Sequence, residues 1–292
     1  MDGVIVINKP TGRTSHDMVS FTRRLFGIKK VGHTGTLDPD ASGVLPVCIG
    51  KATKAADMLT ASDKAYRAQL VLGMITDTQD ASGEILAEQP VLVDKTEIEK
   101  VIKSFIGEID QIPPMFSAIK KDGKKLYELA RKGITIEREK RRVKIFDIDI
   151  CEIDMEKQTI TLDVSCSKGT YIRTLCEDIG MKLGCGAYMN TLVRTKSADF
   201  TLEQSYTQEK LLEMKERGTL ESAVIPVDEL FSEYPKLMLD EFLSSKVKNG
   251  VRIRRKNLDE GAFYRIYDEN GAFLCISRYL SGELVLEKAF WS

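Results

Sequence analysis

The feature that most constrains this chain is a glycine-rich segment near its start, which runs from Val31 to Gly43 and reads VGHTGTLDPDASG. Glycine and proline interrupt helices and strands, so the segment predicts a loop without a regular element. Pro39 disfavours helical geometry at Asp38, and the glycines permit tight turns and close approach of another backbone. The pattern suits one carboxylate displayed on a rigid loop, but most Asp-Pro pairs belong to ordinary turns, and the pattern alone favours the turn.

Regular elements are predicted on both sides of this loop. Apolar runs that end at glycine, proline or charged turns predict strands over residues 3–8, 44–49, 64–72, 142–153, 159–165 and 188–200. Helical spacing of apolar residues predicts helices over residues 15–27, 52–59, 98–105, 126–132 and 170–183. Ser15 is the expected N-cap of the first helix, and Gly27, Gly107 and Gly133 are expected to end their helices.

The pattern of apolar and turn-forming residues changes after about residue 223. Short β-like runs such as FYRIYD, AFLCISRYL and ELVLEKAFW are separated there by turn signals. The chain has 292 residues, a length that suggests about two domains. We predict an α+β protein with a large mixed-sheet domain over residues 1–230, a basic insertion at about 110–144 and a small C-terminal β domain over residues 234–292.

Charge is unevenly distributed along the chain, although the net charge is only −1. Residues 120–144 contain eleven Lys or Arg and four Asp or Glu, and residues 246–256 contain six Lys or Arg and no acid. Residues 55–119 contain eleven acids and five bases. Segregated charge can steer a polyanion to one face, but solvated helix faces and turns produce similar runs, so composition alone leaves both interpretations open.

Several classes of protein are disfavoured by composition. No apolar run approaches the roughly 18 residues that span a membrane, and the N-terminus lacks the basic start and long apolar segment of a signal peptide. We therefore expect a cytoplasmic protein with reduced thiols at its six scattered cysteines. With only two histidines, His16 and His33, a metal site is not expected.

The tetrapeptide Asp-Ala-Ser-Gly occurs twice, at Asp40 and at Asp80. Paired aspartates followed by small residues suggest an aspartic protease, but those enzymes need Thr or Ser directly after the Asp. We therefore reject that interpretation and assign no role to Asp80 from the pattern.

Four separated segments carry a closer resemblance: GVIVINKPTGRTSHD, VGHTGTLDPDASGVLPVCIGKATK, DKAYRAQLVLGMITDTQDASGE and SKGTYIRTLCEDIG. In order and spacing they resemble the TruB family of tRNA pseudouridine synthases, over about residues 1–200. The C-terminal module resembles a small PUA-like RNA-binding domain, although no sharp motif supports that likeness.

The resemblance implies an isomerase that converts uridine to pseudouridine at position 55, in the T-loop of tRNA. The base is flipped out, its bond from N1 to C1′ is broken, and C1′ is rejoined to C5, so no cofactor is implied. Asp38 matches the catalytic aspartate, Arg173 the arginine that pairs with it, and Tyr66 the active-site tyrosine. Without the resemblance, Arg173 is also compatible with a surface position and Tyr66 with packing on a sheet.

The resemblance also implies substrate-binding residues around the same pocket: Lys9, Pro10, His33, Tyr171 and Leu192. Ordinary roles remain open for each, such as a turn histidine or plain core positions. The basic insertion matches a thumb-like element that closes over RNA, where phosphate contacts give affinity rather than sequence choice.

The partner implied is the T-arm stem-loop of tRNA, bound by a monomer without an obligate protein partner. Two other hypotheses stay open at this point. One is an RNA chaperone that does not depend on catalysis, and the other is the catalytic subunit of a guide-RNA particle.

Overall fold

The computed structural model describes residues 1–121 and 123–291. The strands are β1 (Gly3–Lys9), β2 (Val31–His33), β3 (Ser42–Ile49), β4 (Lys64–Leu72), β5 (Met74–Thr76), β6 (Ile85–Glu88), β7 (Gly107–Gln111), β8 (Lys120–Lys121), β9 (Lys124–Lys125), β10 (Arg141–Asp154), β11 (Thr159–Cys166), β12 (Ala187–Ser197), β13 (Phe200–Thr201), β14 (Ile225–Pro226), β15 (Lys236–Met238), β16 (Ile253–Arg254), β17 (Phe263–Tyr267), β18 (Phe273–Leu280) and β19 (Glu283–Ala289). The α-helices are α1 (Ser15–Phe26), α2 (Ala56–Thr60), α3 (Lys95–Lys103), α4 (Leu126–Ala130), α5 (Ile172–Lys182), α6 (Gln208–Glu216) and α7 (Glu241–Lys248).

The predicted α+β class with a large mixed sheet is confirmed. Ten strands form this sheet, in the order β14-β1-β3-β12-β4-β11-β10-β7, with β2 added on β3 and β13 on β12. Strands β4 and β12 lie at its centre and carry alternating buried residues, as expected for strands packed against helices on one face. The main apolar core lies between this face and the helices α1, α3 and α5.

The sheet is joined at its middle by a short parallel contact. Strands β3 and β12 pair in parallel over two positions, Ser42 with Val193 and Gly43 with Arg194. Gly43 has a φ of +105°, and a Cβ atom there would lie 2.3 Å from the carbonyl oxygen of Arg194. Close approach of another backbone, predicted for the glycine-rich loop, therefore occurs at Gly43, where the loop enters β3.

Two details of the glycine-rich region differ from the prediction. Residues Val31–His33 form the short strand β2, because they pair antiparallel with β3 and so recover ladder hydrogen bonds. The N-cap of α1 is Thr14, whose side chain accepts a hydrogen bond from the amide of Asp17. Ser15 is instead the first helical residue, and its hydroxyl is used by the glycine-rich loop.

The basic insertion, residues 112–140, leaves the sheet after β7 and returns at β10. Its two ends are adjacent, because Gln111 pairs with Arg141. It contains a small hairpin, β8 with β9, and the helix α4, which is shorter than predicted. The sequence also predicts a turn at Asp122-Gly123, but Asp122 lies outside the described residues. Helix α3 ends at Lys103, and Gly107 begins β7 instead of ending the helix, because β7 pairs with β10.

A second sheet forms the C-terminal part, in the order β15-β17-β18-β19-β16. It also contains helix α7, which the prediction of a purely β module missed. Ile276 and Phe290 of this part share one apolar cluster with Val4, Val44 and Phe231. The C-terminal sheet therefore packs on the large sheet. Within the described residues, no helix has the length and apolar character needed to cross a membrane.

Candidate active site

One arginine joins two carboxylates at the centre of the molecule. The Nη2 atom of Arg173 lies 3.1 Å from Oδ2 of Asp38, and its Nη1 lies 3.1 Å from Oδ2 of Asp80. The arginine side chain is only 7% exposed, whereas that of Asp38 is 41% exposed. Arg173 is therefore a buried cation rather than a surface arginine, and Asp38 presents a paired carboxylate to the solvent side of the site.

The same guanidinium also binds backbone. Its Nη1 donates to the carbonyl of Thr78 at 3.2 Å, and its Nη2 donates to the carbonyl of Phe116 at 2.9 Å. Arg173 is the second residue of α5, so the buried face of the helix fixes where its side chain begins. A planar fork with several donors can satisfy carboxylates and carbonyls together, which a lysine cannot do.

The loop that carries Asp38 is fastened by side chains from two other elements. The hydroxyl of Ser15 donates to the carbonyl of Leu37 at 3.0 Å and accepts from the amide of Leu37 at 2.8 Å. On the other side, Arg194 of β12 donates to the carbonyls of Gly35, at 3.2 Å, and Val44, at 2.7 Å. The backbone that carries the carboxylate is therefore held on both sides.

Lys9 lies beneath the same loop with no exposed surface. Its Nζ donates to the carbonyls of Pro10 at 2.9 Å, Arg13 at 2.6 Å and Pro39 at 3.0 Å. Burial lowers the pKa of this ammonium to about 8, although the charges of Asp38 and Asp40 oppose the shift. All three donors of Lys9 are used within the protein, so its ammonium is arranged to hold the loop.

Replacing Lys9 by methionine is expected to lower the free energy of unfolding by about 1–3 kcal/mol, because three buried carbonyls lose their donor. The shift in the urea midpoint measures the effect. Lys29→Met, at an exposed position outside this loop, is the control and should leave the midpoint unchanged. Equal midpoints for the two variants would contradict the role of Lys9 in holding the loop.

Asp80 lies in the connection between β5 and β6, and its second oxygen is used locally. Oδ1 accepts from the hydroxyl of Thr78 at 2.7 Å and from the amide of Ser82 at 3.0 Å. The connection is tied to β12, since Ala81 donates to the carbonyl of Met189 at 2.9 Å. The position of Asp80 is thus fixed by local hydrogen bonds as well as by Arg173. The sequence analysis did not identify this residue, although it lies in the segment DTQDASGE that resembles the family.

Tyr66 lies on β4 directly beside Arg194 of β12. Burial raises the pKa of its hydroxyl, the charge of Arg194 opposes the shift, and Asp38 is near enough to add to it. Tyr66 therefore keeps its proton at neutral pH and belongs to the same electrostatic environment as Asp38. Its ring packs against the main apolar core.

The other residues predicted from the sequence lie on several different elements. Tyr171 is the N-cap of α5, and burial raises the pKa of its hydroxyl. Leu192 is buried on β12. Pro10 is exposed, and its carbonyl is bound by Lys9. His33 lies on β2, where burial and the charge of Arg194 lower its pKa, so it is neutral at neutral pH.

The environment of Asp38 works in two directions. Desolvation by the surrounding protein raises the pKa of its carboxyl, and so does the charge of Asp80, while Arg173 and Lys9 hold the value down. The net direction is upward. A carboxylate that has lost part of its hydration but keeps its charge is a better nucleophile than one fully solvated in water.

Comparison with known proteins adds to this geometry. The family described as TruB family pseudouridylate synthase (N terminal domain) matches residues 23–172. The tRNA pseudouridylate synthase B C-terminal domain matches residues 173–232, and the C-terminal domain of pseudouridine synthase II TruB matches residues 235–285.

Similar proteins match along almost the full chain. The tRNA pseudouridine synthase B of Alkaliphilus oremlandii is 48% identical over 285 residues, covering 98% of this chain and 92% of the relative. The protein of the same name from Clostridium perfringens is 46% identical over 294 residues, covering 99% and 98%. Among solved structures, a chain of a Cbf5-Nop10-Gar1 complex has a TM-score of 0.74 at 28% identity, covering 99% of this chain and 85% of that chain.

Proposed function

Because the chain belongs to the TruB family of pseudouridylate synthases, we propose that it isomerises uridine to pseudouridine in the T-loop of tRNA, at position 55. The observation that carries the proposal is the pair of Asp38 with the buried Arg173, in which the carboxylate keeps 41% of its side chain exposed. A charged oxygen is thereby oriented and left accessible to a substrate.

In this mechanism Asp38 supplies the carboxylate that attacks the flipped nucleotide. Arg173 orients it and keeps it ionised, since a nearby cation favours the charged form. Tyr66 stacks on the uracil while the base is detached and turned. Its hydroxyl keeps its proton because burial raises its pKa, so it does not serve as the base at C5, and the C5 proton is released to solvent after C5 has bonded to C1′.

The remaining predicted residues act on binding. Tyr171 and Leu192 line the pocket for the flipped base, and the neutral His33 lies where the nucleotide leaves the RNA stack. Flipping costs a few kcal/mol, and stacking on an aromatic ring returns roughly 1–3 kcal/mol. Lys9 and Pro10 support the site through the loop backbone, as the three bonds of Lys9 to carbonyls suggest.

The basic insertion supplies phosphate contacts. The hairpin of β8 and β9 carries four lysines, and Lys120, Lys121 and Lys124 are exposed. Contacts of this kind give salt-dependent affinity without sequence choice. The C-terminal domain, residues 234–292, adds a second RNA-binding surface through its own basic stretch at residues 246–256.

The test is to incubate the purified chain alone with an unmodified tRNA transcript labelled at uridine C5, and to measure release of the label. We expect release at one site per tRNA, also from a bare T-arm stem-loop, by a monomeric protein. No release from either RNA would overturn the enzymatic proposal. Release only after a guide RNA or partner protein is added would favour the guide-RNA particle, and binding without release would favour a chaperone.

The single-turnover rate is expected to fall in acid as Asp38 becomes protonated. Because burial and Asp80 raise the pKa of Asp38, the midpoint of this fall should lie above the ordinary aspartate value of about 3.9. The rate is full above the raised pKa and is lost as pH drops through it. A pH series under single-turnover conditions measures the midpoint, and a value at or below the ordinary one contradicts the assignment.

A further inference from the structure

The basic insertion is joined to the active-site helix at the point where it leaves the sheet. Gln111 is the last residue of β7 and pairs with Arg141, the first residue of β10. Its side chain is buried, with 1% of the residue exposed. The insertion, residues 112–140, begins directly after Gln111 and ends directly before Arg141. Gln111 therefore lies where the insertion joins the sheet.

The amide of Gln111 binds both backbone groups of one residue of the active-site helix. Its Nε2 donates to the carbonyl of Tyr171 at 3.1 Å, and its Oε1 accepts from the amide of Tyr171 at 3.0 Å. Tyr171 is the N-cap of α5, and its own side chain makes no capping hydrogen bond. Gln111 therefore fixes the start of the helix two residues before Arg173.

A second contact joins the insertion to Arg173 itself. The carbonyl of Phe116, five residues beyond Gln111, accepts from Nη2 of Arg173 at 2.9 Å. The same Nη2 atom lies 3.1 Å from Asp38. Asp38 and the base of the insertion therefore share one guanidinium nitrogen, and a displacement of either the helix start or Phe116 changes the pair that orients the carboxylate.

We propose that Gln111 is a positioning residue, which couples the placement of the RNA-binding insertion to the Arg173–Asp38 pair by clamping the backbone of Tyr171. The inference rests on the proposed function, because it assigns a role within that reaction. When RNA phosphates hold the insertion, the clamp transmits its position to the helix start. The rate of catalysis thereby depends on the position that the insertion adopts when it is bound to RNA, while the affinity for RNA depends on the lysines of the insertion.

The chemistry requires a side chain that is both donor and acceptor. Gln111→Met has a similar length and offers neither group. Gln111→Glu keeps an acceptor, but when ionised it lacks the donor for the carbonyl of Tyr171. When protonated, the same glutamic acid again has one donor and one acceptor, and burial favours this form.

The experiment compares these two variants with the unaltered protein in single-turnover label release and in tRNA binding. For Gln111→Met we expect the rate at neutral pH to fall by about tenfold or more, with Kd changed by less than about twofold. Its rate relative to the unaltered protein should fall further in acid, because a displaced Arg173 no longer holds down the pKa of Asp38. For Gln111→Glu the relative rate should instead rise in acid, as the carboxyl regains its proton.

Gln69→Met is the matched control. Gln69 lies on β4, and its Oε1 accepts from the side-chain Nδ2 of Asn190 at 2.8 Å, away from the clamp. This variant should keep the rate and pH profile of the unaltered protein. A purely structural role for Gln111 would lower the melting temperature but leave both pH trends flat, which would overturn the proposal.

The outcomes separate the inference from the proposed function. If the unaltered protein releases no label, the function fails and the inference with it. If that protein is active and Gln111→Met matches it in rate and pH profile, the inference alone fails. Should Gln111→Met not fold, Gln111→Glu decides, because a relative rate that does not rise in acid contradicts the clamp.

Discussion

Replacing Asp38 by asparagine is expected to abolish pseudouridine formation, with a single-turnover rate lowered at least about 10³-fold. Asparagine has nearly the same size, and its amide oxygen can still accept a hydrogen bond from Arg173. It lacks the charged oxygen that the proposed mechanism requires, however, so the proposed attack on the nucleotide cannot occur. Label release from tRNA under single-turnover conditions measures the loss.

The same variant should remain folded and should bind tRNA with a Kd within about threefold of the original, because affinity comes mainly from phosphate contacts. Its stability is a separate check. The folded protein raises the pKa of Asp38, so this carboxyl's contribution to stability is full at low pH and is lost as pH rises through the raised pKa. At neutral pH the asparagine variant should therefore melt no lower than the unaltered protein.

Asp40→Asn is the control for this experiment. Asp40 stands on the same loop, is exposed, and has no salt bridge among the described residues. Removing its charge should leave the rate within about threefold. A rate for Asp38→Asn above roughly a hundredth of the original, with Asp40→Asn normal, would show that the reaction does not need a carboxylate at residue 38.

The glycine-rich loop was predictable because its signals are local. Three glycines and an Asp-Pro pair within thirteen residues predict a loop without a regular element, and Gly43 lies against the backbone of Arg194 because it has no side chain. The same signals did not distinguish a displayed carboxylate from an ordinary turn. The long strands of the large sheet, β1, β3, β4, β10, β11 and β12, were also predictable, since each has its own apolar pattern. The catalytic assignments needed the resemblance to the family, because the sequence pattern around a residue does not show which reaction its side chain takes part in.

The features that could not be predicted from the sequence depend on contacts between residues that are distant along the chain. Asp80 meets Arg173 across 93 residues, and Gln111 meets Tyr171 across 60. Neither residue has a local signal, since an Asp in a turn and a Gln at a strand end are common in any fold. Strand β7 was missed for a related reason, because its alternation of charged and apolar residues is short and becomes a strand only by pairing with β10.

Removing the cation gives the second large effect. Arg173→Met is expected to lower the single-turnover rate by about 10²–10³-fold, because Asp38 loses its orienting partner and is left near the charge of Asp80. Arg173→Lys should lose less, about 10–10²-fold, since one ammonium restores charge but cannot serve both carboxylates and the carbonyl of Phe116. Label release from tRNA measures both variants, with Kd as the check on binding.

A double variant distinguishes catalysis from charge balance. Arg173→Met leaves the carboxylate of Asp80, whose side chain is 17% exposed, without its cation, which should lower the free energy of unfolding by about 1–3 kcal/mol. Adding Asp80→Asn removes that unpaired charge, so stability should recover while the rate stays low, because Asp38 is still not oriented. If the rate recovers together with the stability, Arg173 serves only to neutralise Asp80, and its role in holding Asp38 for attack is wrong.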